Sequence, residues 1–200
     1  ARSLRAGFKY IIMTHAATAA MFIAAILMWH YGTGQSFTFA SCREALQDMI
    51  ITNPVLVHVL LGLWVIGFGT KAGLLPFGSW LPDAYPAAPS AASAAFAGTM
   101  TKLGIYGLVR VFAWMLPVSS FSESWGIIIA VLGAGSVFVG TLATLPHHIA
   151  YDDSKRFLCF HVIGQIGYIL LGVGMGIYFL PINPAISMLA FIAGVFHLIN

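Results

Sequence analysis

The sequence predicts an all-α fold, a polytopic transmembrane helix bundle of about six helices, one of them broken near Pro76. Three observations predict it. Hydrophobic residues make up 60% of the chain and charged residues 8%, where a soluble domain carries about 25% charged residues. Mean hydropathy is +0.91. The apolar runs approach the ~20 residues a membrane helix needs, whereas barrel strands alternate over ~10.

The first span runs from Tyr10 to Tyr31. The second begins at Pro54, and its apolar character continues past Leu75 through Phe77, Trp80 and Leu81 to Tyr85, interrupted by Gly73, Pro76, Gly78 and Pro82. Those 32 residues would be about 48 Å long as one helix, against a hydrocarbon core of about 30 Å. A proline removes a backbone donor and clashes with the preceding turn, so the helix is expected to break inside the membrane, where irregular backbone lines a hydrated cavity. Further spans are expected at Ser90 to Leu116, Trp125 to Leu145 and Phe157 to Leu180, and a sixth from Pro184 is cut off at Asn200. The chain starts at Ala1 with no signal-peptide pattern, and residues 1–200 read as one membrane domain within a larger protein.

With alternating spans, Arg2, Arg5, Lys9, Lys155 and Arg156 fall on one side of the membrane and Arg43 and Arg110 on the other. The positive-inside bias then puts the residue 1 side in the cytoplasm. The net charge of +3 is accounted for by this asymmetry, so no nucleic-acid partner is expected beside the lipid bilayer. Cys42 and Cys159 form no metal or redox motif. Neither cofactor nor metal is implied. His147 and His148 read as adjacent loop residues pointing apart. The run GVGMG, Gly172 to Gly176, lacks the strand-turn-helix setting of a dinucleotide site and reads as a close-packing face, as does the stretch from Ala87 to Gly98. No Ser, Cys or Asp constellation for catalysis is visible.

Two lysines carry the chemical signal. A charge at a helix centre costs roughly 2.5 to 3.5 kcal/mol on insertion scales, so an intramembrane lysine points to function. If the second span ended at Pro76, Lys71 would lie one turn from the interface and its side chain would snorkel to water; with the apolar run continuing, it sits beside the break. Lys102 lies 12 residues after Ser90, roughly 18 Å along the third span, with neither interface in reach. Burial disfavours the charged form of any lysine, and an ammonium so placed becomes able to release and recover a proton. Thr99, Thr101 and Tyr106 offer it hydroxyl neighbours, and the alternative is a fixed ion pair with an acid on a helix outside this chain. Among the histidines, which titrate near pH 6.5 when unperturbed, His15 and His58 read as structural. His161 shares a face with Gln165 one turn on, and with His197 it offers stacked polar side chains for a water chain.

The stretches TKAGLLPFGSWLPDAYPAAPS (Thr70 to Ser90), TMTKLGIYGLVR (Thr99 to Arg110), DDSKRFLCFHVIGQIGYILLG (Asp152 to Gly172) and the terminal FHLIN resemble the antiporter-like subunits shared by respiratory complex I, Mrp-type antiporters and membrane-bound hydrogenases. The KAG and YPAAPS wording leans toward the hydrogenase and formate hydrogenlyase branch. The resemblance implies a non-catalytic, proton-translocating subunit of a redox-driven complex in the cytoplasmic membrane of a prokaryote, partnered by other membrane subunits and a peripheral redox arm. It implies that Lys71 pairs and unpairs with a glutamate on an upstream helix, and that Lys102 passes the proton along a hydrated axis. Lys155 would belong to the input region and His197 would lie further along the axis. Pro76 and Pro82 mark the broken helix, and Trp80, Asp83, Pro86 and Pro89 its loop motif. Gly78 stands where the family often has histidine and His161 where serine is common. The glutamate helix and a second broken helix lie outside this chain, so it is not expected to pump alone. Two other readings remain: a sodium or potassium/proton antiporter subunit that needs no electron donor, and a structural membrane anchor with static lysine pairs.

Overall fold

The computed structural model describes residues 2–31, 36–149 and 154–199, the side chains of 2 and 146–149 excepted. Expectations placed on Asp152, Asp153, Asn200 and the side chains of His147 and His148 lie outside the described residues. Among the described residues nine α-helices follow one another: α1 (Arg2–Tyr31), α2 (Phe39–Thr52), α3 (Pro54–Ala72), α4 (Leu81–Ala87), α5 (Ser90–Ala95), α6 (Thr101–Val109), α7 (Ser120–Ile149), α8 (Ser154–Phe179) and α9 (Pro184–Ile199). A π-helical stretch, Phe96–Met100, joins α5 to α6, and a second, Arg110–Met115, continues α6, making one rod over 90–115. Helices α1, α3, α7 and α8 are each long and apolar enough to span a membrane, and α9 is a shorter apolar helix. The chain is an all-helical integral membrane protein.

Several spans exceed their apolar runs. Helix α1 starts at Arg2, since the basic residues before Tyr10 continue the helix beyond the hydrocarbon, and α7 extends over the positions of His147 and His148, which the sequence placed in a loop. Helix α2 was not foreseen. Arg43, Glu44 and Asp48 make it too polar for a span, yet it buries Cys42, Ala45, Leu46 and Met49 along one stripe at helical spacing. Thr38 caps its start and Asn53 caps the start of α3, where Pro54 occupies the first turn.

The second span breaks as expected. Gly73 ends α3 in the left-handed conformation, with φ at 90°, and the Gly73 and Leu74 amides both return to the Gly69 carbonyl. The Leu75–Pro76 peptide is cis. Every exposed backbone group of such a break needs a partner. The Leu75 amide donates to Ser136 Oγ of α7 at 3.0 Å, and the Trp80 indole donates to the Thr70 carbonyl at 3.0 Å. Gly78 curls back so tightly that a Cβ there would collide with the Gly73 backbone, which explains why a larger residue is absent. Pro82 forms the far edge of the break, in the first turn of α4, where its missing N–H costs nothing.

Helices α7, α8 and α9 pack by backbone contact. A Cβ on Gly133 would lie 2.6 Å from the Leu171 amide nitrogen, one on Gly140 2.6 Å from that of Gly164, and one on Gly172 2.8 Å from Gly194 Cα. Small residues there are what let the helices approach, as the GVGMG run suggested. The Ala87 to Gly98 stretch does not behave this way among the described residues. Helix α5 buries no residue and a Cβ on Gly98 would meet nothing within 4 Å.

Candidate functional site

The packing of α3 fixes the depth of Lys71. A Cβ on Gly67 would lie 3.1 Å from the Ala17 carbonyl, near the middle of α1, and Lys71 is one turn, about 6 Å, further along. Helix α6 runs antiparallel to α3, with Gly107 against Phe68 and a Gly104 Cβ position 2.5 Å from the Ala72 amide nitrogen. Lys71 and Lys102 are one and two residues from that contact. The two lysines therefore share a depth well inside the bundle, and both are half-buried. Lys71 occupies the last turn of α3, one residue before the helix ends at Ala72.

Lys102 Nζ donates to the Ala97 carbonyl at 3.1 Å, and Thr101 Oγ1 donates to the same oxygen at 2.8 Å. Ala97 lies in the π-helical stretch, where the Thr101 amide returns to Phe96 five residues back. A π turn shifts one carbonyl out of the regular ladder, and such turns occur frequently at functional sites. Nothing in the hydropathy pattern signalled it. Of the expected hydroxyl neighbours, Thr101 is recruited through this shared acceptor, whereas Tyr106 is taken by Arg110, whose Nε donates to its hydroxyl at 2.7 Å.

Among the described residues neither Lys71 nor Lys102 has a carboxylate partner; the ion pair found is Lys9 with Asp83, at 2.7 Å. Glu44, Asp48 and Glu123 sit on α2 and in the first turn of α7, at the opposite end of the bundle from Asp83. Among the described residues, then, no ion pair holds either lysine.

The loop motif is built around this region. Trp80 is fully buried, and Asp83, in the first turn of α4, accepts from Lys9, which also donates to the Ser79 carbonyl at 2.6 Å. Pro86 lies within α4 and Pro89 precedes α5. Lys155 Nζ reaches across from α8 to the Ala88 carbonyl at 2.9 Å. Between that end and the inner lysines lies a buried cluster of Trp80, Leu81, Tyr85, Cys159 and Ile163, against which Phe96, Ala97 and Met100 pack.

The histidines separate. His15 Nδ1 bonds the Ile11 carbonyl of its own helix at 2.8 Å, and His58 Nδ1 accepts from the Trp125 indole at 3.1 Å while stacking on Phe121. His161 is exposed, its ring 6.2 Å from Phe157. His197 does not meet it; the ring packs edge-on against Tyr168 at 5.1 Å, and its Nε2 is buried with no hydrogen-bond partner among the described residues. Tyr168, seven residues after His161, continues the face of His161 and Gln165 and was missed, although that spacing could have signalled it.

Residues 1–199 match the NADH:quinone oxidoreductase/Mrp antiporter transmembrane family. The chain is 36% identical to hydrogenase-4 component B of Escherichia coli over 99% of its length, covering 28% of that protein. It is 34% identical to formate hydrogenlyase subunit 3 of the same organism over 92% of its length, again covering 28% of that protein. The structure resembles a chain of the Mrp complex from a Dietzia species with a TM-score of 0.69 at 23% identity, covering 98% of this chain and 34% of that one.

Proposed function

The chain belongs to the NADH:quinone oxidoreductase/Mrp antiporter transmembrane family, and on that premise we propose that it forms the proton-carrying part of an antiporter-like subunit in a redox-driven membrane complex. The observation that carries the reading is the pair Lys71 and Lys102. Both are held at one depth beside a broken helix and a π turn, with no carboxylate to neutralise them among the described residues. Charged groups kept in such a place are served by water and by movable counter-charges.

In this reading a redox event in partner subunits changes the field at Lys71, for instance by moving an acidic partner on a helix outside this chain. Like charges a few ångströms apart in a medium of low dielectric repel by several kcal/mol, enough to expel a proton and pass the change to Lys102. Lys155 serves the entry end, and His161 and His197 serve the face of α8 that leads onward. The two basic clusters support a cytoplasmic residue 1 side: Lys9 and Lys155 converge on the segment from Ser79 to Ala88, while Arg43 bonds the Trp114 carbonyl at the far end. The relatives named as a hydrogenase component and a formate hydrogenlyase subunit favour a bacterial cytoplasmic membrane and a multi-subunit setting with a peripheral redox arm.

The test is Lys102→Ala in the intact complex, reconstituted in vesicles. Assembly is expected to be normal and proton movement at least about tenfold slower, some 1.4 kcal/mol of added barrier. Unchanged proton movement would sink the proposal, and sodium-driven flux without a redox substrate would replace it with an antiporter.

A further inference from the structure

Tyr85 lies in α4 between the two ends of this pathway. Its carbonyl accepts from Ser93 Oγ at 2.9 Å; three residues on, the Ala88 carbonyl holds Lys155. Its ring stands 6.3 Å from that of Phe96, whose neighbour Ala97 packs on the same cluster and holds Lys102. The side chain is only 4% exposed, yet the hydroxyl has no hydrogen-bond partner among the described residues. A phenol buried in this way carries an uncompensated desolvation cost, and such orphans in a native fold call for a bound water or a functional reason. Of the surrounding side chains, Leu81, Ile163 and Phe96 are hydrocarbon, and the Trp80 indole N–H, which only donates, is already committed to the Thr70 carbonyl.

Resting on the reading above, we propose that the Tyr85 hydroxyl is a positioning group that holds water within this apolar cluster, so that protons cross from Lys155 to Lys102. Without it the cluster is a dry plug, because a proton chain needs a hydrogen-bonding site at every step. Among the five buried members of the cluster this hydroxyl alone both donates and accepts strongly, the Cys159 thiol doing so weakly, while Tyr10, packed against the cluster, donates its own hydroxyl to Met100 Sδ at 3.9 Å.

Tyr85→Phe isolates the hydroxyl, keeping the ring. In the full complex the variant is expected to move protons several-fold more slowly than wild type, with a larger solvent deuterium isotope effect, while the thermal midpoint stays equal or rises because an unsatisfied polar atom has been removed. A merely structural hydroxyl would give the reverse, a lowered midpoint and an unaltered isotope effect, and that result overturns the inference. Lys102→Ala is measured alongside. If it stops proton movement while Tyr85→Phe matches wild type, Tyr85 has no such role and the lysine pathway stands. If neither variant slows movement, the pathway falls and Tyr85 with it.

Discussion

The basic residues at the two regions of the third span are treated in opposite ways. Arg110, in the second π stretch, lies half-buried against three rings that are themselves about half exposed. Its guanidinium lies 4.0 Å from the Trp114 ring, 5.0 Å from Tyr106 and 5.2 Å from Phe39, and its Nε bonds the Tyr106 hydroxyl. Phe39 stacks on Trp114, and Arg43 bonds the Trp114 carbonyl, so α2 is fastened to the end of the rod by two cations and three rings. Lys102, two turns earlier on the same rod, has a single shared carbonyl. A planar, permanently charged group saturated by aromatic faces is a fastener. An ammonium with one neutral acceptor keeps N–H donors for other partners. The difference teaches that a membrane charge is to be judged by how far its bonding capacity is filled, more than by its depth.

The contrast breaks most sharply at the turn beside the lysines. Gly78→Ala puts a methyl group into the Gly73 backbone, and neither side of that contact is a flexible side chain that can swing away. We expect a cost of about 3 kcal/mol or more, read as loss of assembled complex and of proton movement together, because the break that positions Lys71 is displaced. A Gly78→Ala variant that assembles and pumps normally would show that the turn does not set the lysine.

At the Arg110 region the expected outcome splits. Arg110→Ala removes contacts to three rings and a charged hydrogen bond, and should lower stability by about 1 to 2 kcal/mol. Proton movement per assembled complex should be unchanged. A fall in the per-complex rate with normal stability would place Arg110 among the transporting groups and erase the contrast.

Much of this was legible in the sequence because membrane insertion imposes coarse, strong constraints. The length and apolarity of the runs revealed the spans, and Gly73, Pro76 and Pro82 revealed the break, since each proline removes a donor that lipid cannot replace. Lys71 and Lys102 stood out against that background. What stayed hidden depends on partners or on single-residue register. Helix α2 buries its stripe only once Met28 and its neighbours on α1 and α3 provide a core. The π turn under Lys102 adds one residue to a turn, which no hydropathy window resolves. Ser136, fully buried on α7, could not be matched to the Leu75 amide without coordinates. Tyr106 was misassigned to Lys102 because spacing along a helix admits neighbours on both sides, and Arg110, one turn on, holds that hydroxyl.

The smallest effect lies at the outer edge of the loop motif, where Lys9 and Asp83 form an ion pair with both side chains about 40% exposed. Exposed pairs contribute about 0 to 1 kcal/mol, because water solvates the separated ions nearly as well and salt screens them. Asp83→Asn should therefore change the thermal midpoint slightly at low salt and not at all at high salt, with Lys9 still held by the Ser79 carbonyl. If Asp83→Asn instead slowed proton movement as strongly as Lys102→Ala, the carboxylate would be acting on the pathway itself. The division between filled and open cations would then have to be redrawn with Lys9 on the open side.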